Sequence, residues 1–439
     1  MEKSAVELIG YAKTGTIGAN RSETVTVSVP ERYFASYDAN GKGTYILEAG
    51  NYYLAAGKDA HDALNHILAA KGKTTASGMT AAGDAALTKV LALSASDAYA
   101  TSRTGEKIVN RFDGADLNRY EGRGSNGVTY LSRNDWTGTL KLGLDEDHNR
   151  LENGVRITST AQMGRDAAKP TWEEDDAEYP EYGAGNGLTL ASFIPPEDEN
   201  GVKHAFSYDD ERWEDLLDEM TWDETVELLS TGMRMTGAVE SIAKPRTIDH
   251  NALGGPVVRY ANGATNNGLA VQTGDALKNE RPAIYPCNGL VAATFDADLV
   301  REYGEAIGED CLWAGYAGMY GPGGVNVHRG PYGGRAYEYY SEDAFLIGST
   351  SSAELKGIYA KGVYCYLKHC ILNDEEVDRE GICVWANEQT IREGYLRAYE
   401  IVMGENDKDG APVNVMSGFN RLGMVWNGHH GYFNTVLRG

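Results

Sequence analysis

The segment Tyr364-Cys-Tyr-Leu-Lys-His-Cys-Ile-Leu-Asn-Asp-Glu-Glu-Val-Asp-Arg379 contains an apolar strand that ends in two adjacent basic residues, Lys368 and His369. Successive side chains of a strand point to opposite faces, so these two project to different sides. A capped strand followed by a solvated loop would explain Asp374 and Glu375. It explains Lys368 poorly, because a lysine that closes a buried strand needs a polar partner.

Helices and strands alternate on both sides of this segment. The pattern predicts helices over residues 298–314, 342–361 and 386–405, and strands leading to residue 321 and over residues 413–417. Successive strand–helix units with short connections imply parallel strands. Because these strand–helix units lack the Gly-x-Gly-x-x-Gly fingerprint, we expect an incomplete (β/α)8 barrel of about six strands, not a doubly wound sheet.

The chain of 439 residues divides into three parts by pattern. In residues 1–70, Val25, Val27 and Val29 alternate with hydroxylated residues, and short strands are predicted at 44–48 and 52–55, which indicates part of a β-sandwich. Residues 71–206 are predicted to be a long extended connection with a few short strands, one of them at 128–131. Residues 207–439 hold the barrel, where Thr221 and Glu224 form a predicted helix-capping box.

The composition excludes several classes of partner. A net charge of −24 argues against binding to nucleic acid or anionic membranes, since both require clustered basic residues. The sequence has no run of about 18 apolar residues that could span a membrane. Its first residues lack the apolar core of a secretory signal, so we expect a cytoplasmic location.

The five cysteines are odd in number and lack the spacing of a metal site. We expect buried free thiols in a reducing compartment. These residues are Cys287, Cys311, Cys365, Cys370 and Cys383.

Two further predicted strand ends carry polar side chains. The run from Gly321 to Gly334 is rich in glycine and is followed by Arg335, whose planar fork suits vicinal hydroxyls. The alternative is a loop arginine that pairs with Glu338 or Asp343. The third strand end, Val-Met-Ser-Gly-Phe-Asn420, is also compatible with simple turn formation.

Together these three segments resemble glycoside hydrolase family 3, the β-glucosidase type. The similarity covers roughly residues 207–439 in order and spacing: Gly-Pro-Gly, Gly-Gly-Arg, Lys-His, Asn-Asp-x-Glu and Met-Ser-x-x-Asn. Residues 1–70 are similar to the fibronectin-III-like domain that accompanies such enzymes. Its position before the barrel suits members with inverted domain order.

The resemblance implies a retaining β-glucosidase that releases terminal β-D-glucosyl units from β-glucosides or short gluco-oligosaccharides. No metal or cofactor is implied, and a homo-oligomer is possible. Phe419 stands where the family usually has a tyrosine, which puts the role of that hydroxyl in doubt. Asp249, with Asn251 as its rival, would grip the 4- and 6-hydroxyls. The residues that would bind the glucosyl unit are Arg335, Lys368, His369 and Arg379.

Both catalytic carboxylates are expected outside this chain. Retaining glycosidases need two carboxylates about 5–5.5 Å apart. By the resemblance, the nucleophilic aspartate would follow Gly439 and the acid/base glutamate would precede Met1, so we expect an inactive fragment.

Two alternatives to an inactive enzyme fragment stay open. They are a non-catalytic sugar-binding protein and a half-enzyme completed by a second polypeptide. A metal enzyme is less favoured, because His429 and His430 are adjacent and not four residues apart. A phosphate-binding barrel is possible on grounds of fold alone.

Overall fold

A computed structural model describes residues 1–139, 157–168, 181–203, 206–207, 210–231, 235–251, 285–330 and 333–437. The chain forms two compact units. The first unit comprises Met1–Ala168, Glu380–Leu396 and Asn420–Gly439, and the second unit comprises Lys169–Arg379 and Arg397–Phe419. None of the described helices is long and apolar enough to cross a membrane.

The strands and helices follow one another along both units. The strands are β1 (Ser36–Tyr37), β2 (Tyr45–Leu47), β3 (Gly50–Ala55), β4 (Thr88–Leu93), β5 (Asp97–Tyr99), β6 (Met235–Thr236), β7 (Thr247–Asn251), β8 (Gly318–Tyr320), β9 (Tyr364–Cys370), β10 (Cys383–Val384), β11 (Asn414–Ser417), β12 (Arg421–Leu422) and β13 (Val425–Trp426). The α-helices are α1 (Ala60–Ala70), α2 (Trp136–Thr139), α3 (Ala161–Asp166), α4 (Arg212–Asp218), α5 (Trp222–Ser230), α6 (Asn288–Ala292), α7 (Ala297–Trp313), α8 (Ala344–Tyr359), α9 (Glu388–Thr390), α10 (Arg397–Asp407) and α11 (Tyr432–Thr435).

The second unit contains a five-stranded sheet in the order β11-β9-β8-β7-β6. Strands β7, β8, β9 and β11 are parallel, and β6 is antiparallel to β7. The parallel strands that are described lie side by side in the order in which the chain visits them. That order is typical of part of a (β/α)8 barrel wall, since a doubly wound sheet reverses its order part-way. The predicted parallel strands and the helices between them are confirmed.

Helices α7 and α8 pack with their backbones in close contact at glycine residues. A β-carbon at Gly357 would lie 2.1 Å from the carbonyl oxygen of Arg301, and one at Gly304 would lie 2.3 Å from that of Glu354. Real β-carbons do not approach a carbonyl oxygen this closely. Glycine at these positions therefore sets the distance between the two helices.

The Gly357→Ala substitution is expected to lower the free energy of unfolding by about 1–3 kcal/mol, because the helices must move apart to admit the methyl group. Gly394→Ala is a matched control, since a β-carbon there meets no atom within 4 Å. Urea denaturation monitored by circular dichroism measures both. Equal stability of the two variants would contradict the close-packing account.

Helix α8 also carries a buried acid, Glu354. Its carboxylate accepts a hydrogen bond of 2.5 Å from the hydroxyl of Tyr340. Burial raises the pKa of Glu354 to about 7, because the charged form loses its hydration. Tyr303 and Cys365 also lie within electrostatic range of this carboxyl group.

The described residues of the first unit form three small sheets. Strands β1, β2 and β5 are antiparallel, and β3 and β4 form an antiparallel pair. In the third sheet the central strand β12 is parallel to β10 and antiparallel to β13. Strands β4 and β5 lie in the range predicted as an extended connection, yet they pair with strands from the predicted sandwich range. Helix α1, which we did not predict, lies between β3 and β4 in sequence and packs on both.

Two predicted strands of the first unit are wrong. The residues around Val25, Val27 and Val29 form no strand, and the side chains of Val25 and Val27 are exposed. Residues 128–131 also form no strand. Alternation shows that a segment could cover one face of a sheet, but it does not supply the neighbouring strand that a sheet requires. The acidic run at 172–176 lies outside the described residues.

The predicted helix over residues 386–405 is confirmed as α9, a π-helical stretch at Ile391–Leu396, and α10. All five cysteines are free, and three are buried as predicted. Cys287 is exposed and Cys383 is partly exposed, so the prediction of buried thiols is wrong for these two.

A buried ion pair anchors the start of this helical region within the first unit. The Nε atom of Arg392 donates to the carboxylate of Glu388 at 2.8 Å, and its guanidinium stacks on the ring of Tyr37 at 4.5 Å. Glu388 also accepts the backbone N–H groups of Arg111 and Phe112. The carboxylate therefore satisfies donors from two separate parts of the chain.

Glu388→Gln is expected to lower the free energy of unfolding by about 3 kcal/mol or more, because it leaves the buried charge of Arg392 unpaired. Asp113→Asn, which breaks the exposed pair with Arg119 in the same unit, is the control and should cost at most about 1 kcal/mol. Denaturation by urea compares the two. Similar losses of unfolding free energy in the two variants would show that burial of the ion pair does not set the cost of breaking it.

Candidate functional site

One face of β9 carries polar side chains that reach across β8 to β7. The hydroxyls of Tyr364 and Tyr366 donate to the two carboxylate oxygens of Asp249 at 2.6 and 2.9 Å. Gly318 of β8 lies in register between Asp249 and Tyr364. A β-carbon at Gly318 would lie 2.2 Å from the Tyr364 ring and 2.5 Å from Asp249 Oδ1. Because glycine has no side chain, Tyr364 of β9 can reach across β8 and donate a hydrogen bond to Asp249 of β7.

Lys368 is the next residue on this face of β9 and is only 2% exposed. Its Nζ atom donates to Asn251 Oδ1 at 2.9 Å. The polar partner that a buried lysine needs is therefore at the end of β7. Asn251 was the rival candidate for the hydroxyl-gripping role, and the structure places it beside Lys368.

Asp249 is 3% exposed, and both of its oxygens already accept tyrosine hydroxyls. A direct bond to a sugar hydroxyl would have to displace one of these donors. The geometry thus favours a structural role for Asp249, in contrast to the sugar-gripping role that the resemblance implies.

His369 is 4% exposed and is held through its backbone, whose N–H donates to Asn326 Oδ1 at 3.2 Å. The Nη1 atom of Arg335 lies 3.4 Å from His369 Nε2. A guanidinium has no acceptor, so Nε2 accepts and the ring proton is on Nδ1. Nδ1 is buried and has no hydrogen-bond partner among the described residues.

The imidazole of His369 is kept neutral by its surroundings. Burial lowers its pKa to about 2, with the positive charges of Arg335, Lys368 and Arg379 contributing. Arg335, Lys368 and Arg379 therefore all lie within electrostatic range of the His369 ring.

Arg335 is oriented by a carboxylate three residues later. Its Nε atom donates to Glu338 Oε1 at 2.9 Å, and its Nη2 atom donates to Glu338 Oε2. This is the pairing that the alternative interpretation of Arg335 anticipated. Because Glu338 holds one edge of the fork, Nη1 faces His369, with Glu376 Oε1 at 3.8 Å.

Arg379 joins the same group through Glu376. Its Nη1 atom donates to Glu376 Oε2 at 2.8 Å, so Glu376 lies between Arg379 and Arg335. The guanidinium of Arg379 stacks on the ring of Phe419, 4.9 Å from the ring centroid. Glu376 was not among the predicted site residues, although its spacing of three residues from Arg379 is typical of an ion pair.

The four residues predicted to bind a glucosyl unit therefore lie together, while their role stays a prediction. They share the group with three carboxylates, so the cations Arg335, Lys368 and Arg379 are balanced in charge. A balanced group favours a neutral polar ligand over an anion such as phosphate. Within the described ranges, no cluster of three or more His, Cys, Asp or Glu side chains could hold a metal ion.

Comparisons with known proteins point to one family. The chain is 25% identical to "Beta-glucosidase A" of Butyrivibrio fibrisolvens over 95% of its own length and 44% of the relative's. It is 25% identical to "Beta-glucosidase" of Ruminococcus albus over 99% of its own length and 38% of the relative's. A shorter stretch of 148 residues is 36% identical to "Probable beta-glucosidase H" of Emericella nidulans, and covers 34% of this chain and 17% of that relative.

The chain is related to the β-glucosidases of glycoside hydrolase family 3.

Among solved structures, a β-glucosidase from Paenibacillus barengoltzii matches 98% of this chain and 40% of its own, with a TM-score of 0.60 and 20% identity. At that identity the match shows the fold alone. No protein-family model matches the chain. The chain spans less than half the length of each of these three relatives.

His369 and Glu354 are expected to give opposite pH dependences of stability. The pKa of His369 is about 2 when folded against 6.5 unfolded, so its contribution weakens as pH falls below 6.5. The pKa of Glu354 is about 7 when folded against 4.5 unfolded, so its contribution weakens as pH rises from 4.5 to 7. Between pH 4.5 and 6.5 the two trends cancel in the wild-type chain.

Single substitutions should uncover each trend. Relative to wild type, Glu354→Gln should make the free energy of unfolding rise with pH by roughly 1 kcal/mol per unit between pH 4.5 and 6.5, and His369→Gln should make it fall by a similar amount. Urea denaturation at several pH values measures both, and the double variant should restore the wild-type slope. Unchanged slopes would contradict the assigned pKa shifts.

Proposed function

We propose that this chain supplies the glycosyl-binding part of a glycoside hydrolase that acts on β-glucosides. The observation that carries the proposal is the group of Arg335, Lys368, His369 and Arg379 around the carboxyl end of β9. Sites in parallel barrels lie at this end of the strands. The family 3 relationship supports the same reaction class.

The group offers donors of fixed direction in a mostly buried setting. Lys368 is held by Asn251, and Arg335 is held by Glu338, so neither side chain must be ordered when a ligand binds. His369 is neutral and carries a proton on Nδ1, which gives a further donor without adding charge. Pre-oriented donors of this kind suit the hydroxyls of one pyranose ring.

The carboxylates of the described group are all engaged. Asp249 accepts two tyrosine hydroxyls, Glu338 is bound by Arg335, and Glu376 is bound by Arg379. Retaining hydrolysis needs a free nucleophile and an acid/base pair about 5–5.5 Å apart. We therefore expect the chain to bind β-glucosides and to hydrolyse them weakly at most.

Lys368→Met and Arg335→Met are each expected to weaken the binding of methyl β-D-glucoside at least tenfold, because each removes a charged hydrogen-bond donor. Isothermal titration calorimetry with the 439-residue chain measures this. Arg301→Ala, which removes an exposed cation of α7, is the control and should bind as wild type does. Failure of the wild-type chain to bind the glucoside, or equal binding by all variants, would overturn the proposal.

Hydrolysis of 4-nitrophenyl β-D-glucoside by the same chain should be lower by orders of magnitude than that of an enzyme with both carboxylates. Release of nitrophenolate measures it. Ordinary turnover would refute the expectation of weak hydrolysis while leaving the binding role in place.

A further inference from the structure

Glu354 is a buried acid of α8 that lies outside the proposed glycosyl-binding group. Its side chain is in a residue only 2% exposed, and its Oε2 atom accepts the hydroxyl of Tyr340, which is 3% exposed, at 2.5 Å. Among the described residues no basic side chain offsets a charge on this carboxyl group. An ionised Glu354 would therefore be a buried charge without a counter-ion, which is costly.

Tyr340 belongs to the same short segment as Glu338, the carboxylate that orients Arg335. The Tyr340 N–H donates to the carbonyl oxygen of Gly324 at 3.3 Å. A β-carbon at Gly324 would lie 2.4 Å from the Tyr340 ring and 2.7 Å from the carbonyl oxygen of Glu338. That carbonyl oxygen also accepts Asn288 Nδ2 at 2.9 Å. The segment is closely packed along its length, so a shift of Tyr340 would be transmitted to Glu338.

Glu338 is the residue through which such a shift would reach the binding group. The Nε and Nη2 atoms of Arg335 donate to its carboxylate, which leaves Nη1 facing His369 Nε2 at 3.4 Å. A bidentate pair fixes direction as well as distance. Movement of Glu338 would thus change the direction in which Arg335 offers its remaining donor. The connection runs from Glu354 through Tyr340 and its segment to Arg335.

The groups within electrostatic range of Glu354 are uncharged and come from three elements: Tyr340 before α8, Tyr303 of α7 and Cys365 of β9. Burial raises the pKa of all three above its ordinary value, so they stay neutral up to pH 9. Cys311 lies within range of Cys365, and burial raises its pKa to about 12. Burial raises the pKa of Glu354 to about 7, so this acid is neutral at pH 6 and charged at pH 9.

We propose that neutral Glu354 positions Arg335 for the glycoside through Tyr340, and that ionisation of Glu354 releases this connection. The inference rests on the proposed function. A buried carboxylate that loses its proton is stabilised by reaching water, and this requires the closely packed segment at Tyr340 to move. Glycoside binding should therefore weaken as the acid ionises. Glu354 is a positioning residue and does not touch the ligand.

The test measures the affinity of the 439-residue chain for methyl β-D-glucoside by isothermal titration calorimetry at pH 6, 7, 8 and 9. Wild type should bind at least about threefold more weakly at pH 9 than at pH 6. Glu354→Gln can accept the same hydrogen bond and stays uncharged, so its affinities at pH 6 and pH 9 should agree within about twofold. Glu305→Gln removes an exposed acid of α7 and should keep the wild-type pH dependence.

Tyr340→Phe is a second variant that keeps the ring and breaks the link to Glu354. Its affinity at pH 6 should be about threefold or more below that of wild type, because the segment that holds Glu338 loses an anchor. Circular dichroism at each pH checks that every variant is folded. A purely structural role of Glu354 would change stability without removing the pH dependence of binding by the folded chain.

The two proposals fail in different ways. If wild type binds the glucoside equally at pH 6 and pH 9, if Glu354→Gln keeps the decline, or if Tyr340→Phe binds as wild type does, this inference is overturned and the proposed function stands. If wild type binds the glucoside at no pH, the proposed function fails and the inference fails with it.

Discussion

The burial of the Lys368 ammonium group is the constraint on which the described site depends. A lysine that is 2% exposed must find an acceptor inside the protein, and Asn251 provides it from two strands away. That contact requires β7, β8 and β9 to keep their register, because a shift of one residue would move Lys368 to the opposite face. The position of the site is therefore set by the sheet.

Strand β8 contributes to the site mainly because Gly318 has no side chain. Gly318 leaves room for Tyr364 to bond Asp249 across it, so two strands that are not neighbours are joined by side chains as well as through the sheet. Asp249 then fixes Tyr366 in addition, next to Lys368 on the same face. The result is a connected polar interior whose groups have little freedom to rearrange.

Around the carboxyl end of β9, each basic side chain is oriented by an acidic or amide partner. Glu338 holds Arg335, Glu376 holds Arg379, and the backbone of His369 donates to Asn326. Burial and the neighbouring cations keep the His369 imidazole neutral, so the group gains a donor without a further positive charge. Such an arrangement can recognise hydroxyl groups by direction and does not rely on attraction of opposite charge.

The sequence by itself determined the strand–helix order of the second unit and three of its site segments, because periodicity and the basic ends of strands are local properties. Tertiary structure alone decided that Asp249 is enclosed by tyrosines, that Glu376 lies between two arginines, and that the segment around Val27 forms no strand. These outcomes depend on which distant residues become neighbours. Residue type and spacing do not specify that, since the same carboxylate can face a sugar or a tyrosine.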